Sequence, residues 1–307
     1  MRRAITTGSA LAGGLRGILA GVLAGIALVA VAEPPAPLPS EIVSSEWCET
    51  IGNRLFSVSA EFCEESGLRP SSATSIEGRA LMRFERPPQL PRRSASIDGA
   101  SRSPRIMMIG GIHGDELTSV SIVFKWMERL NRADASQLHW LIIPLANPDG
   151  LLMRPAQRMN ARGVDLNRNF DTPDWSDKAM RYWVGRTRKD PRRFPGRVPV
   201  SEPETRWLQE EITKFRPDVI VSIHAPYGVL DFDGPAEEPK RFGRLRLNRL
   251  GVYPGSLGNY GGVHKGVPVI TIELPHATRM PSARDQEAIW QDMIKWIRQN
   301  FVPANLT

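Results

Sequence analysis

The sequence is poor in several features from which sites and folds are commonly built. Only two cysteines, Cys48 and Cys63, occur in its 307 residues. That count argues against a zinc site made of thiolates. No dense stripe of Lys and Arg is interleaved with aromatic residues, which argues against nucleic-acid binding. No internal repeat is found, so a repeat array is excluded. The chain has no apolar run of full membrane-spanning length: residues 17–31 are apolar and uncharged but short for a span. Apolar and charged content are otherwise ordinary, which excludes a wholly disordered chain.

The short apolar run has a specific context. Met1-Arg2-Arg3 precedes it, Ala30-Val31-Ala32 offers a small-residue cleavage pattern, and Pro34, Pro35 and Pro37 follow. Residues 1–32 therefore read as an export signal cut before Glu33, which would place the protein in the periplasm without a stable membrane anchor, an uncleaved anchor being the alternative. The formal net charge of +7 falls to +4 without Arg2, Arg3 and Arg16, since that segment carries no acid. An oxidising compartment predicts that Cys48 and Cys63 form one disulfide. The basic stretch Arg186–Arg197 reads first as a solvated loop, with a substrate-facing role as the alternative.

Residues 33–104 read as an N-terminal region with weak helical spacing over Glu41–Leu68, a short strand at Ala80–Phe84 and a Pro/Arg/Ser-rich linker at Pro87–Ser103. The strand is a candidate to join the main sheet. Residues 105–307 alternate strand and helix. Strands are predicted at Ile106–Ile109, His139–Leu145, Val219–Ile223 and Val267–Leu274. Helices are predicted at Leu117–Leu130, Glu202–Phe215 (with Ser201 as N-cap) and Gln286–Phe301. Continuous apolar strands imply burial on both faces. The expected fold is α/β: a central mixed, mostly parallel twisted sheet with helices on both faces.

Candidate chemistry gathers at the strand ends, where open α/β sheets bind ligands. Gly110-Gly111-Ile112-His113-Gly114-Asp115-Glu116 follows the first of these strands, and places His113 and Glu116 on one side of a predicted first helical turn. Asn147-Pro148-Asp149-Gly150 follows the second, and His224 ends the third. His113, Glu116 and His224 could make a two-His, one-carboxylate zinc site, although His224 alone would also suit the core. His139, His264 and His276 are assigned no metal role. Glu273 interrupts the apolar run Val269–Leu274, where a carboxylate must be paired or functional. It reads either as a partner of a nearby Arg or loop, or as a general base. In Val164-Asp165-Leu166-Asn167-Arg168-Asn169-Phe170, Asn167 and Arg168 could bind a carboxylate and Asp165 could orient a ligating His. Arg158 could stabilise an oxyanion. Asp115 reads as a supporting acid at a helix start.

Taken together, Gly-Ile-His-Gly-Asp-Glu, Asn-Pro-Asp-Gly, Arg-Met-Asn-Ala-Arg-Gly-Val-Asp-Leu-Asn-Arg-Asn-Phe, Ser-Ile-His and Thr-Ile-Glu-Leu resemble, in order, the zinc metallocarboxypeptidases of the carboxypeptidase A type. The resemblance covers roughly residues 105–297. It implies one zinc per chain held by His113, Glu116 and His224, and a catalytic carboxylate at Glu273. It further implies a carbonyl-polarising Arg158 and a clamp on the substrate's free carboxylate at Asn167 and Arg168. Residues 160–163 and 254–260 look most like the bacterial murein peptide amidases within that family. That similarity implies a murein-peptide substrate cut at a γ-D-glutamyl–diaminopimelate bond. Leu257 falls where the family's specificity residue would lie, so polar partners for such a side chain must come from elsewhere. The family's mobile tyrosine has no match at its usual spacing, leaving Tyr253 and Tyr260 as unassigned candidates. Two other readings remain: a zinc N-acyl-amino-acid deacylase, and an inactive module that binds peptidoglycan peptides.

Overall fold

The computed structural model describes residues 40–89 and 102–302. The predicted export signal and the middle of the Pro/Arg/Ser-rich stretch lie outside the described residues.

The described chain opens with two short helices, α1 (Ser40–Gly52) and α2 (Ala60–Glu65). Ser59 caps α2 by accepting a hydrogen bond from the Phe62 backbone N–H at 3.2 Å. Gly52 lets the helices meet: a Cβ there would sit 2.6 Å from the Ala60 backbone nitrogen. Cys48 and Cys63 form the expected disulfide between them, with Cα atoms 5.4 Å apart. Both cysteines are buried with Trp47, Ile51 and Val58 against the main core.

Nine strands follow: β1 (Arg69–Thr74), β2 (Ala80–Arg86), β3 (Arg105–Ile109), β4 (His139–Ile143), β5 (Val219–His224), β6 (Val229–Asp233), β7 (Arg241–Phe242), β8 (Leu245–Leu247) and β9 (Val269–Glu273). They form one sheet in the order β1-β2-β4-β3-β5-β9-β6-β8-β7. The strands that precede residue 105 extend this same sheet, β2 pairing antiparallel with β4. Parallel pairing is confined to the four central strands and to β6–β8, so the sheet is mixed, with a parallel centre and largely antiparallel flanks. Direct hairpin-like returns at the flanks explain the difference: β1 to β2 needs no crossover helix, whereas parallel neighbours do.

Side-chain alternation divides the core in two. On β3, Ile106 and Met108 join one apolar cluster, Met107 and Ile109 the other. On β9, Ile270 and Ile272 join the first, Val269 the second. The first cluster is covered by α3 (Leu117–Met127) and α7 (Ala283–Phe301), the second by α6 (Pro203–Phe215). Helix α7 begins at N-cap Ser282, which accepts from the Asp285 N–H at 3.1 Å. Ser201 does not cap α6. Glu202 is the N-cap residue and Pro203 opens the helix, while the Ser201 hydroxyl donates to Glu202 Oε1 at 2.7 Å. Proline at the first helical position needs no N–H partner, which shifts the start by one residue.

The disulfide closes a segment of sequence separation 15, for which loop entropy predicts about 3 kcal/mol of stabilisation. Cys48→Ser should lower the unfolding free energy by about that amount. Urea unfolding of the variant, and of the wild type with and without reductant, measures the effect.

Candidate active site

Strands β3, β5 and β9 are parallel neighbours, so their C-terminal ends share one edge of the sheet. His224 ends β5 and Glu273 ends β9, and the two are register partners. Beyond β3 the chain turns sharply through two glycines. A Cβ on Gly110 would lie 2.7 Å from the Ser119 carbonyl oxygen, and Gly111 has φ of +58°. His113 and Glu116 occupy the turn itself. The helix starts only at Leu117, with Glu116 as its N-cap residue, so the pair precedes the helix rather than lying on its first turn.

The turn is held from outside. A Cβ on Gly114 would approach the Gly150 and Leu151 backbone to 2.2 Å, so only glycine permits this contact. Asn147 supports it, donating from Nδ2 to the Ile112 carbonyl at 3.3 Å and the Arg158 carbonyl at 3.1 Å. Its Oδ1 accepts from the Gly150 N–H at 2.9 Å, capping the short helix α4 (Pro148–Leu152). Asp149, fully buried, faces the other way and accepts from Arg79 Nη1 at 2.6 Å, Ser75 Oγ at 2.7 Å and the Glu77 N–H at 3.0 Å. The Asn-Pro-Asp-Gly run thus clasps the His-Glu turn on one side and the β1–β2 hairpin on the other.

His113, Glu116 and His224 are all buried, and their ligand atoms lie within 4.8 Å of one another. His113 Nδ1 is 2.8 Å from Glu116 Oε1, His224 Nδ1 is 3.0 Å from Glu116 Oε2, and the two Nδ1 atoms are 3.1 Å apart. The outer nitrogens have other partners. His113 Nε2 is 3.2 Å from Asp165 Oδ1, and His224 Nε2 is 3.0 Å from Ser222 Oγ. Outer nitrogens protonated toward these oxygens leave both Nδ1 lone pairs aimed at the Glu116 carboxylate. Two lone pairs and a carboxylate converging in a buried space repel unless a cation lies among them. This donor set fits zinc, which takes imidazole and carboxylate ligands. Burial alone would raise the Glu116 pKa, but positive charge at this centre, carried by the imidazoles when they are protonated, outweighs it and holds the carboxyl far below its usual range.

Asp165 is fully buried and joins this centre to the next group. Besides His113 it accepts from Arg158 Nε at 3.0 Å and from the Asn167 N–H at 3.0 Å. Burial opposes its ionisation, but Arg158 and His113 keep it well below the ordinary value. Arg158 reaches Glu116 Oε1 with Nη1 at 3.5 Å. Asn167 is set by accepting the Leu257 N–H on Oδ1 at 2.8 Å. Arg168 is buried, with Nη1 on the Asn167 carbonyl at 2.6 Å and its guanidinium 4.4 Å from the Tyr253 ring centre. Its Nε has no partner among the described residues.

Glu273 is 6% exposed, and its Oε2 is likewise unpartnered among the described residues. Burial pushes its pKa up. The Tyr227 backbone N–H in the loop after β5 also acts on this carboxylate, and no Arg pairs with it. A cavity of about 170 Å³ is lined by Glu273, His113, His224, Arg158, Asn167 and Arg168. All seven residues singled out from sequence meet here, six on the wall and Glu116 just behind it.

The wall also holds residues that sequence reading gave no role, Tyr227, Asp231 and Asp233, and it holds Arg193 from the basic stretch, in line with the substrate-facing alternative for that stretch. Tyr253 lines it too, while Tyr260 packs on Phe170 away from it. Leu257 is 1% exposed in the core, and contributes its backbone N–H rather than a specificity side chain. Asp115 is not simply solvated: it accepts from Arg192 Nη2 at 2.7 Å and so moors the basic loop beside the cavity. Alternation in Val229-Leu230-Asp231-Phe232-Asp233 was the available signal for the two acids, since it puts them on one face of a strand.

Asp165→Asn should weaken metal binding about 10- to 100-fold, because one amide cannot accept from both His113 and Arg158. Competition with a chromophoric chelator reads that loss directly.

A family model described as zinc carboxypeptidase matches residues 69–232. Murein peptide amidase A of Escherichia coli (strain K12) is 32% identical over 127 residues, 41% of this chain and 50% of that protein. Murein peptide amidase A of Vibrio campbellii is 31% identical over 189 residues, 59% of this chain and 72% of that protein. The chain thus spans half the length of the E. coli relative and more of the Vibrio one. Among solved structures, carboxypeptidase A from Helicoverpa armigera aligns with a TM-score of 0.54 at 16% identity, covering 81% of this chain and 69% of that one. This last likeness speaks for the fold alone. The family match over more than half the chain, and the His113, Glu116 and His224 set it encloses, lead to one statement: the chain belongs to the zinc carboxypeptidase family.

Proposed function

We propose that the protein is a zinc-dependent hydrolase that cuts the amide bond before a C-terminal residue of peptidoglycan-derived peptides. The bond is the γ-D-glutamyl–meso-diaminopimelate bond of a murein tripeptide. The observation that carries this reading is that Glu273, buried and with one carboxylate oxygen unpartnered among the described residues, shares the wall of one small cavity with His113, His224 and Arg168. Relatives named murein peptide amidases support the substrate class.

His113, Glu116 and His224 would hold one zinc ion, which supplies Lewis-acid activation of the scissile carbonyl and the attacking water. The chain's own groups do the rest. Asn167 and Arg168 bind the substrate's free carboxylate, the planar guanidinium offering parallel donors. That clamp fixes which amide bond lies beside Glu273. Arg158, held at Nε by Asp165 and facing Glu116 with Nη1, keeps its remaining N–H donors for the oxyanion that develops on the carbonyl. Glu273 takes a proton from water and passes it to the leaving amine nitrogen. Its raised pKa suits a group that must carry that proton between the two steps. The protein works in the periplasm, exported by residues 1–32.

Glu273→Gln should retain zinc at about one ion per chain and lose roughly 10²- to 10⁴-fold in kcat. Metal analysis and single-turnover kinetics together check this, and an unchanged rate would remove Glu273 from the proton-transfer role. Purified enzyme given L-Ala-γ-D-Glu-meso-diaminopimelate should release diaminopimelate. Cleavage of ordinary C-terminal residues alone would leave a carboxypeptidase of another specificity. Turnover of simple N-acyl amino acids alone would make it a deacylase, and no turnover of any of these would make it a binding module. Protein recovered from a periplasmic extract of a Gram-negative host should begin at Glu33 on N-terminal sequencing.

A further inference from the structure

Helix α6 opens on two buried acids that the proposed reaction does not use. Glu202 is 2% exposed and Glu204 is 0% exposed. Both face one amide: Asn160 Nδ2 donates to Glu202 Oε2 at 2.7 Å and to Glu204 Oε2 at 3.1 Å. Glu202 Oε1 accepts from the Ser201 hydroxyl at 2.7 Å, and Glu204 Oε1 from the Ile76 N–H at 3.2 Å. Neither acid forms an ion pair among the described residues, and each of these partners is neutral. Two ionised carboxylates on one neutral amide would repel, and their desolvation would go uncompensated. One of the pair is therefore protonated.

The proton belongs on Glu204. Glu202 has the two shorter hydrogen bonds, which support its charge, whereas Glu204 is the more buried acid with the longer bonds. The charges around Glu204 oppose its ionisation. Glu202 stands on its own helix and Asp149 on α4, and Arg79 of the β1–β2 hairpin is already paired with both Asp149 and Glu77. In the loop that carries Asn160, Arg162 is exposed and contributes only its backbone N–H. Burial above all, with Asp149 adding to it, pushes Glu204 up to about 7.

Asn160 links this pair to the site. Its Oδ1 accepts from the Arg162 and Val164 N–H groups, each at 3.1 Å, and its own N–H donates to the Val164 carbonyl at 3.0 Å. The residue thus closes the turn 160–164. Arg158 lies two residues before that turn, and Asp165 is the residue after it.

We infer that Glu204 is a positioning residue: as a neutral acid it shares the Asn160 amide with the Glu202 carboxylate, and so holds the turn that sets Arg158 against Asp165. This deepens the amidase reading and rests on it for the roles of those two groups. Loss of the proton puts a second charge on the same amide, drives Asn160 off the pair and slackens the turn. Alkaline conditions then undo the alignment of Arg158, Asp165 and His113.

The test compares wild type with Glu204→Gln, which is neutral at every pH. Glu211→Gln is the control, on the same helix but with an acid paired to Arg83 at 2.9 Å. The wild-type kcat/KM on L-Ala-γ-D-Glu-meso-diaminopimelate, divided by that of Glu204→Gln, should fall about tenfold from about pH 6 to about pH 8. The neutral fraction of a group that titrates near pH 7 falls by that factor. The quotient cancels the titration of groups that both proteins share. Zinc affinity, read with a chromophoric chelator and no substrate, should be equal in the two proteins at about pH 6 and about tenfold weaker in wild type at about pH 8, because Asp165 orients His113. Glu211→Gln should follow wild type in both measurements. A quotient that stays flat with pH in either measurement would overturn the assignment, and a merely structural role produces that flat result. A Glu211→Gln profile that matches Glu204→Gln would overturn it too. Failure of wild type to cut the tripeptide would count against the proposed bond specificity instead, and the zinc measurement alone would then decide the role of Glu204. If Glu204→Gln does not fold, Glu202→Gln takes its place with the same outcomes, since it also leaves one charge on the amide at alkaline pH.

Discussion

The Asp165 carboxylate is the interaction on which the site depends. It is buried completely, yet it stays ionised because His113 and Arg158 both face it. One oxygen orients His113 and also receives the Asn167 N–H, while the other fixes Arg158. Under the proposed function, three separate tasks are thus referred to one group: metal geometry, oxyanion placement and the start of the carboxylate clamp. Isolated ions are expensive in a protein interior, and this one persists because its charge is compensated from two sides. Because the same oxygen serves the imidazole and the clamp, a shift that helped one would disturb the other. Rigidity at this point follows from shared use.

Around that group the sheet acts as a frame. Parallel neighbours β3, β5 and β9 deliver their C-terminal ends to one edge, and the glycine turn after β3 brings His113 and Glu116 across to meet His224. The support comes from α4, whose Asn147 grips both the turn and the Arg158 carbonyl. This explains why residues up to 111 positions apart arrive within hydrogen-bonding distance. Each is tied to a strand end or to a turn that a neighbouring turn holds shut.

Much of this was legible in sequence because buried strands are apolar and their ends are abrupt. Glu273 stood out as a lone charge in Val269–Leu274, and His224 as a polar residue closing Val219–Ile223. Local signals failed where tertiary contacts decide. The His-Glu pair was read onto a helical turn, because nothing local announces that Gly114 must press against Gly150. Ser201 looked like a cap, yet Pro203 moved the helix start. The flanking strands β1, β7 and β8 are short, polar or interrupted, and periodicity could not register them. Asp231 and Asp233 went unnoticed for a related reason. Their meaning depends on which strand lies beside β6, and that is a property of the sheet order rather than of the residues around them.

The pairing of His224 with Glu273, and of Val229 with Glu273 on the other edge of β9, bears on how faithfully the sheet assembles. A slip of β9 by one residue would exchange its two faces. Thr271 and Glu273 would then be driven among the apolar side chains under α7, and Ile270 and Ile272 would be turned out toward polar walls. Misaligned pairing would thus strand a charge in the core and waste two large apolar groups at once. The polar residues that equip the cavity therefore also act as a proofreading device for strand alignment, and the chain cannot build a well-packed sheet in the wrong register without losing the groups that make it useful.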